Sequence, residues 1–497
     1  MEQPNRVTPD DPRYPGLAGR GDNTRFLPAP EEFVLATSTA DVVAAVQAAV
    51  DRGAGVTARS GGHCYEGFVS DPRQQVVVDL SPLDGVEWDA ERGAVVAGPG
   101  VRLLDLHTEL HRRWGTVLPA GASATVALGG HLAGGGYGPL SRALGTAVDH
   151  VHAVEVVTVD AEGRARAVVA TRDPADAAHE LWWALTGIGG GNLGIVTRYW
   201  LRSPGADGTA PESALPPAPG NVLITSRIFP REGLSREAFR ALVGAHGRWH
   251  ERNSGPGSPH SGLFSGLVLL AAQPDDDSVP AAILFLTGTG DADQLAGALA
   301  AMTEGVDAPS FDTPVTTGSW PEAARALSEA QDGEPGRHKV KSAHLRAGYT
   351  DEQADVLFDR LGDSDHPCRG ASVSLQSSGC AVNAVAPGAT AVAQRDSVLR
   401  ALFLATWDDA ADDEAGLSYL RRLYRDVHAG TGGVPAPGPR TDGCHINFPD
   451  TDLADPGWNT SGVPWQHLYY ADNLARLQAA AKAWDPLGVF GHALSVR

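Results

Sequence analysis

Glycine clusters three times before residue 203 of this 497-residue chain. The segments are Arg59-Ser60-Gly61-Gly62-His63, Gly129-Gly130-His131-Leu132-Ala133-Gly134-Gly135-Gly136-Tyr137-Gly138 and Gly189-Gly190-Gly191-Asn192-Leu193-Gly194-Ile195-Val196. Without a Cβ, glycine lets main chain come close to a ligand or to other main chain. The first cluster follows a strand-like stretch, Gly55 to Ala58, so its N–H groups can converge on a phosphate with Arg59 and Ser60 as added donors. One Gly-Gly pair is more often a plain turn, but three clusters in one region point to an extended ligand lying against backbone. No G-x-G-x-x-G with a distant acid opens a helix, and no G-K-[ST] occurs, so neither the Rossmann fingerprint nor the P-loop is matched.

Composition decides whether so much glycine means disorder. The chain has 59 Gly and 35 Pro, but also 42% apolar residues and 11 Trp, enough for a large packed core. Its 39 Lys+Arg against 60 Asp+Glu give a net charge of −21, which argues against nucleic-acid and anionic-membrane partners. No apolar run approaches the roughly 18 residues a membrane helix needs. Met1 to Phe26 is polar and lacks an apolar signal-peptide centre, so a cytoplasmic chain is expected. Cys64, Cys368, Cys380 and Cys444 form no C-x-x-C pair, and reduced thiols are expected. The three lysines, Lys339, Lys341 and Lys482, receive no role from sequence.

Periodicity predicts a helix from Thr37 to Val50, strands at Val76 to Leu80 and Ala94 to Ala97, a helix from Leu103 to Trp114, a strand at Val151 to Val159, a short helix from Glu180 to Leu185 and a strand from Gly194 to Leu201. Pro, Gly and Ala in Ser203 to Asn221 read as a linker. Beyond it, helices are expected at Arg236 to Arg252, Asp293 to Thr303, Glu414 to Val427 and Pro464 to Trp484. Strands are expected at Gly266 to Ala272, Ala281 to Leu286 and Ala371 to Gln376. The expectation is an α+β fold: a ligand-holding domain over 1–202, a substrate domain over 203–455 with an antiparallel sheet covered by helices, and a segment 456–497 that returns to the first domain.

The order R-S-G-G-H, G-G-H-x-x-G-G-G-Y-G-x-L-S-R, L-W-W-A with G-G-G-N-x-G-I-V-T, and W-D-P-x-x-V-F resembles the berberine-bridge-enzyme-like flavoprotein oxidases of the vanillyl-alcohol-oxidase fold. Within them the chain is most similar to bacterial oxidoreductases of natural-product biosynthesis, of the aclacinomycin-oxidoreductase type. The resemblance runs from Phe26 to Phe490. It implies a PCMH-type FAD-binding domain in which His63 is joined to the 8α-methyl of FAD. From the residues alone, His63 could instead donate to a phosphate or a buried carbonyl. The same resemblance places Arg59, Ser60, Gly61, Gly62, Ser123, Val126, Gly129, Gly130, Gly134, Gly191, Asn192, Gly194, Ile195, Val196 and Asn473 around the cofactor, and makes His131 structural.

The departures from the family pattern are specific. Many relatives carry a second link from a cysteine in G-x-C-x-x-V; here Ser123 stands in that place, so a single covalent link is expected. Val126 stands where the family's oxidases carry valine, which implies O2 as acceptor. Tyr137 matches a family tyrosine that handles protons. The motif usually written Y-x-N-Y-P-D reads His445-Ile446-Asn447-Phe448-Pro449-Asp450, and S-Y-G-G-x-V-N reads Ser377-Ser378-Gly379-Cys380-Ala381-Val382-Asn383. Ser378, Asn383 and Phe448 thereby fall to substrate binding. His445, with an ordinary imidazole pKa near 6.5 against about 10 for phenol, becomes a candidate base beside Tyr137.

The expected activity is two-electron oxidation of a bulky natural product, by alcohol oxidation or oxidative ring closure, with hydride passing to flavin N5 and peroxide formed from O2. A redox-neutral cyclase or isomerase with a structural FAD is the alternative, motivated by the lost tyrosines. A non-enzymatic flavin- or metabolite-binding protein is a third reading. No metal is expected, because His150 and His152 have no carboxylate ligand pattern and no H-E-x-x-H occurs; G-x-S-x-G is also absent.

Overall fold

The computed structural model describes residues 5–273, 276 and 278–497; residues 1–4 of the polar N-terminal stretch lie outside them. Two small sheets are built entirely before residue 202. The first orders Arg6–Val7, Glu32–Leu35, Gln74–Asp79 and Gly55–Arg59, with the last three parallel. A parallel pair needs a crossover, supplied by the helix Thr39–Asp51, which buries Val42, Ala45, Val46 and Ala49 at helical spacing and is capped by Ser38. The second sheet is antiparallel and orders Val86–Asp89, Ala94–Ala97, Ile195–Leu201, Val151–Val159 and Ala165–Thr171.

A larger antiparallel sheet begins at Val222–Phe229. From there the strands run in the order Ala282–Gly288, Leu263–Leu270, Gly370–Ser377, Leu399–Trp407 and Arg337–Leu345, the last at the edge. One face of Leu399–Trp407 presents Leu399, Ala401, Phe403, Ala405 and Trp407, all essentially inaccessible. Trp407 packs on Gly416 of the helix Asp413–Val427, and the Phe403 ring meets Tyr424 of that helix edge-on at 5.0 Å. Alternation along the strand therefore turns Arg400 to the opposite face. There the register aligns Gly266, Gln376, Arg400 and His344 in one row across four strands.

The last residues fold back onto the N-terminal region. Phe490 joins the core of the first small sheet, and Gln74 donates to the carbonyl of Gly491. The predicted helix Pro464 to Trp484 is instead two helices, Trp465–Tyr470 and Leu474–Trp484. Ala471 between them takes a left-handed conformation, φ +43°, and Tyr470 anchors the break by donating to the carbonyl of Ile188. Two of the three lysines are buried. Lys339 pairs with Glu66 and Asp450, and Lys341 pairs with Asp450 and Asp452, tying the large sheet to the first glycine segment and to the loop after His445. No helix among the described residues is long and apolar enough to cross a membrane.

Candidate active site

The three glycine segments meet on one cavity of about 390 Å³, which also reaches the polar row of the large sheet. Its lining includes residues 59–65, Ser123, Val126, Gly129, Gly130, His131, Tyr137, residues 188–192 and 194–196, Gln376, Arg400 and residues 445–449. Glycine at 129 is dictated by packing between segments: a Cβ there would lie 2.7 Å from Ser60 Oγ and 2.8 Å from Pro99 Cβ. At Gly130 and Gly190, by contrast, nothing lies within 4 Å of an added Cβ, so the backbone faces open space. Among the described residues no Asp or Glu lines the cavity of this acidic chain, so no carboxylate of theirs on its wall opposes an anionic cofactor. His63 lines it too, half-buried, with Nδ1 3.8 Å from the Asp22 carboxylate.

Several residues assigned to the cofactor or substrate sit elsewhere. The Arg59 guanidinium is consumed by the protein: it pairs with Asp79 at 2.8 Å and donates to the carbonyls of Leu17 and Arg20. Only as part of the segment does Arg59 belong to the wall. Gly134 gives room to Asn447, whose Oδ1 would stand 2.3 Å from an added Cβ, and Asn447 in turn donates to the carbonyl of His131 at 2.8 Å. Asn473 is outside the cavity and holds the loop 387–391 by donating to the carbonyls of Pro387, Thr390 and Ala391. Ser378 and Asn383 are also outside it. The carbonyl of Ser378 accepts from Arg142, and the Asn383 amide donates to the carbonyl of Ser397. Asn192 lines the cavity, but its amide folds the third segment by reaching the carbonyls of Ile188 and Gly189.

At the sheet end of the cavity, Tyr137 meets His445 edge-on with ring centroids 5.1 Å apart, and Phe448 lies 5.1 Å from the other side of His445. The Tyr137 hydroxyl is buried without a hydrogen-bond partner, and the Arg400 guanidinium covers its ring at 4.2 Å. Burial raises the Tyr137 pKa, against the pull of the Arg395 and Arg400 charges. His445 moves the other way: burial, His344, Arg400 and His131 hold its pKa well below 6.5. His445 is therefore held in its neutral form, which can accept a proton but holds it poorly. His131 is neutral too, its pKa lowered to about 3 by burial, and its Nε2 accepts from the N–H of Gly121 at 3.0 Å.

Sequence reasoning missed Tyr65, Phe264, Gln376, Arg400 and His492 on the wall. A signal existed for one: Arg400 is the lone charge within Leu399–Trp407, where an apolar residue would continue the run. Gln376 and Arg400 are 24 residues apart, and only register brings them together.

An elongated cleft, walled by backbone and ending on a tyrosine, a histidine and an arginine, belongs to an enzyme that works on a small molecule beside a large cofactor. Residues 30–167 match the model of an FAD binding domain, and residues 444–497 match the berberine and berberine-like model. The aclacinomycin-N/aclacinomycin-A oxidase of Streptomyces galilaeus is 44% identical over 98% of this chain and 88% of that protein. Hexose oxidase of Chondrus crispus is 29% identical over 99% and 95%. Among solved structures, a glycopeptide hexose oxidase complexed with teicoplanin superposes with TM-score 0.94 at 41% identity, covering 99% of this chain and 98% of that one. The oxidoreductase of the terminal step of gilvocarcin biosynthesis, solved with pregilvocarcin, gives 0.94 at 43%, covering 99% and 100%. This chain belongs to the berberine-bridge-enzyme-like family and is an FAD-linked oxidoreductase.

Proposed function

We propose that this protein oxidises a bulky natural product by two electrons, with Tyr137 as the proton-handling residue. The observation that carries the reading is the buried, unpartnered Tyr137 hydroxyl on the cavity wall under the Arg400 guanidinium. A cation over the ring favours the phenolate, and bonding to a substrate hydroxyl supplies the partner the phenol lacks. His445, kept neutral, orients that hydroxyl and does not store its proton.

FAD is held by residues 59–63, 123–130 and 189–196, with domain limits 1–202, 203–455 and 456–497. The single covalent attachment is at His63. Ser123 cannot form a thioether, and its hydroxyl donates to Asp332 at 2.9 Å. When bound, FAD would supply the two-electron acceptor of the oxidation, with O2 as the terminal oxidant. Val126, half-buried on the wall, leaves room for that oxidant. The redox-neutral alternative is disfavoured because relatives across the whole length are named oxidases.

Aclacinomycin A, aclacinomycin N, teicoplanin and pregilvocarcin, named with the relatives, form the first substrate panel. Anaerobic mixing with a substrate should bleach the flavin absorption, and oxygen should restore it with formation of peroxide. Conversion of a substrate without bleaching contradicts the reading.

A further inference from the structure

Four arginines among the described residues are buried, and three have guanidinium groups held by several acceptors, although the Nε of Arg142, like that of Arg400, has no partner. Arg59 pairs with Asp79, as above. Arg395 makes a two-pronged pair with Asp149 at 2.7 and 3.1 Å. Arg142 has no acid, but its guanidinium donates to Ser254 Oγ and to the carbonyls of Asn253, Ser378 and His260. Arg400 is the exception. It is 9% exposed and lines the cavity. Its Nε is buried with no acceptor, and its one hydrogen bond runs from Nη2 to Gln376 Oε1 at 3.3 Å. Among the described residues it has no carboxylate partner, and none lines the cavity. The groups facing it are the Tyr137 ring at 4.2 Å, Gln376 and His344 on the flanking strands, and His445 beyond Tyr137. Both ring nitrogens of His344 are themselves unpartnered.

An unpaired charge in a low-dielectric site is costly, and buried guanidinium groups are ordinarily matched by an acceptor with two oxygens. The large sheet spends stability to keep this one unmatched on the cavity wall, against the ring of Tyr137 in the second glycine segment. We propose that Arg400 is a specificity-determining residue that binds an organic oxyanion of the substrate, a carboxylate or an acidic phenol, with the Gln376 amide beside it. The proposal rests on the oxidase reading above and names the class of substrate: the oxidised molecule carries an acidic group near the reacting carbon. The ring of Tyr137 lies between that group and His445, so the same cation that recognises substrate also favours ionisation of the phenol. The geometry thereby couples recognition to proton removal.

The test uses the flavin-loaded protein and two probes of matched shape, 2-naphthoate and 2-naphthamide, titrated while the visible flavin absorption is followed, with calorimetry as a second readout. Naphthoate should bind at least about tenfold more tightly than naphthamide. Arg400→Gln should abolish that preference and Arg400→Lys should restore part of it; flavin content and melting temperature report whether each variant folds. Equal affinities in the wild type, or no binding of naphthoate, overturn the proposal. So does an Arg400→Gln protein whose preference is unchanged while the flavin midpoint potential drops in the absence of probe, because the arginine then serves the reduced cofactor. A purified protein without flavin would instead sink the oxidase reading itself.

Discussion

The two ends of the cavity are made in opposite ways. One is backbone: three glycine segments, contiguous in sequence, fold around an open channel with few side chains in it. The other is a mosaic of side chains, in which Tyr137 near the end of the second glycine segment meets Gln376, Arg400, His445 and Phe448 from separate strands and loops. A backbone wall suits a cofactor of fixed shape, because main-chain donors do not depend on side-chain identity. A side-chain wall suits a substrate that differs between relatives, because one substitution changes charge or shape without disturbing the frame. Of the three places where the family pattern has tyrosine, 445 and 448 lie on the second wall and 378 lies outside the cavity.

Substitutions should separate the walls. The largest effect is expected from Tyr137→Phe, which removes only the unpartnered hydroxyl. Turnover should fall by about 10²–10⁴-fold while flavin content stays at the wild-type level. An active Tyr137→Phe enzyme would move proton handling away from the second wall.

Acid should weaken the fold around both walls next. Burial lowers the pKa of His107 to about 4 and of His131 and His344 to about 3, from 6.5. The unfolded chain therefore binds protons that the folded chain refuses, so stability is complete above about pH 7 and is lost as pH falls below about 6.5. Each such proton costs about 1.4 kcal/mol per pH unit. Asp442, pushed up to about 8 by burial and Asp396, opposes them by one proton. Urea unfolding at pH 7.5 and 5.0 should show the net loss, and His344→Phe should lessen its slope; equal stabilities at the two values would contradict the neutral-histidine assignment. The smallest effect is expected from Gly129→Ala, whose Cβ would press on Ser60 Oγ and Pro99. Overpacking of this kind costs about 1–3 kcal/mol and should lower flavin content more than turnover per bound flavin. The reverse pattern would erase the distinction between the walls.

The same contrast explains what was legible from sequence. The strands Ala94–Ala97 and Val151–Val159 and the helix Leu103–Trp114 follow from local apolar patterns and are found with those bounds. The glycine wall was legible because its residues are adjacent in the chain. Arg337–Leu345 was not, since its buried Lys339 and Lys341 erase the apolar alternation and are neutralised by Asp450 and Asp452 more than a hundred residues away. Leu399–Trp407 was missed too, and Arg400 with it, because only the pairing register reveals which face meets the cavity. Motif position does not reveal where the protein itself engages a side chain, as Asp79 engages Arg59, Asn447 fills the space at Gly134 and the 387–391 loop occupies Asn473.

The central claim is that the first glycine segment carries the cofactor through His63. Intact mass of the yellow protein under denaturing conditions tests it most directly, for the wild type and for His63→Ala. The wild-type chain should carry the mass of one FAD, and the His63→Ala chain should carry none. An adduct that persists in His63→Ala, or a wild-type chain without one, would contradict the account.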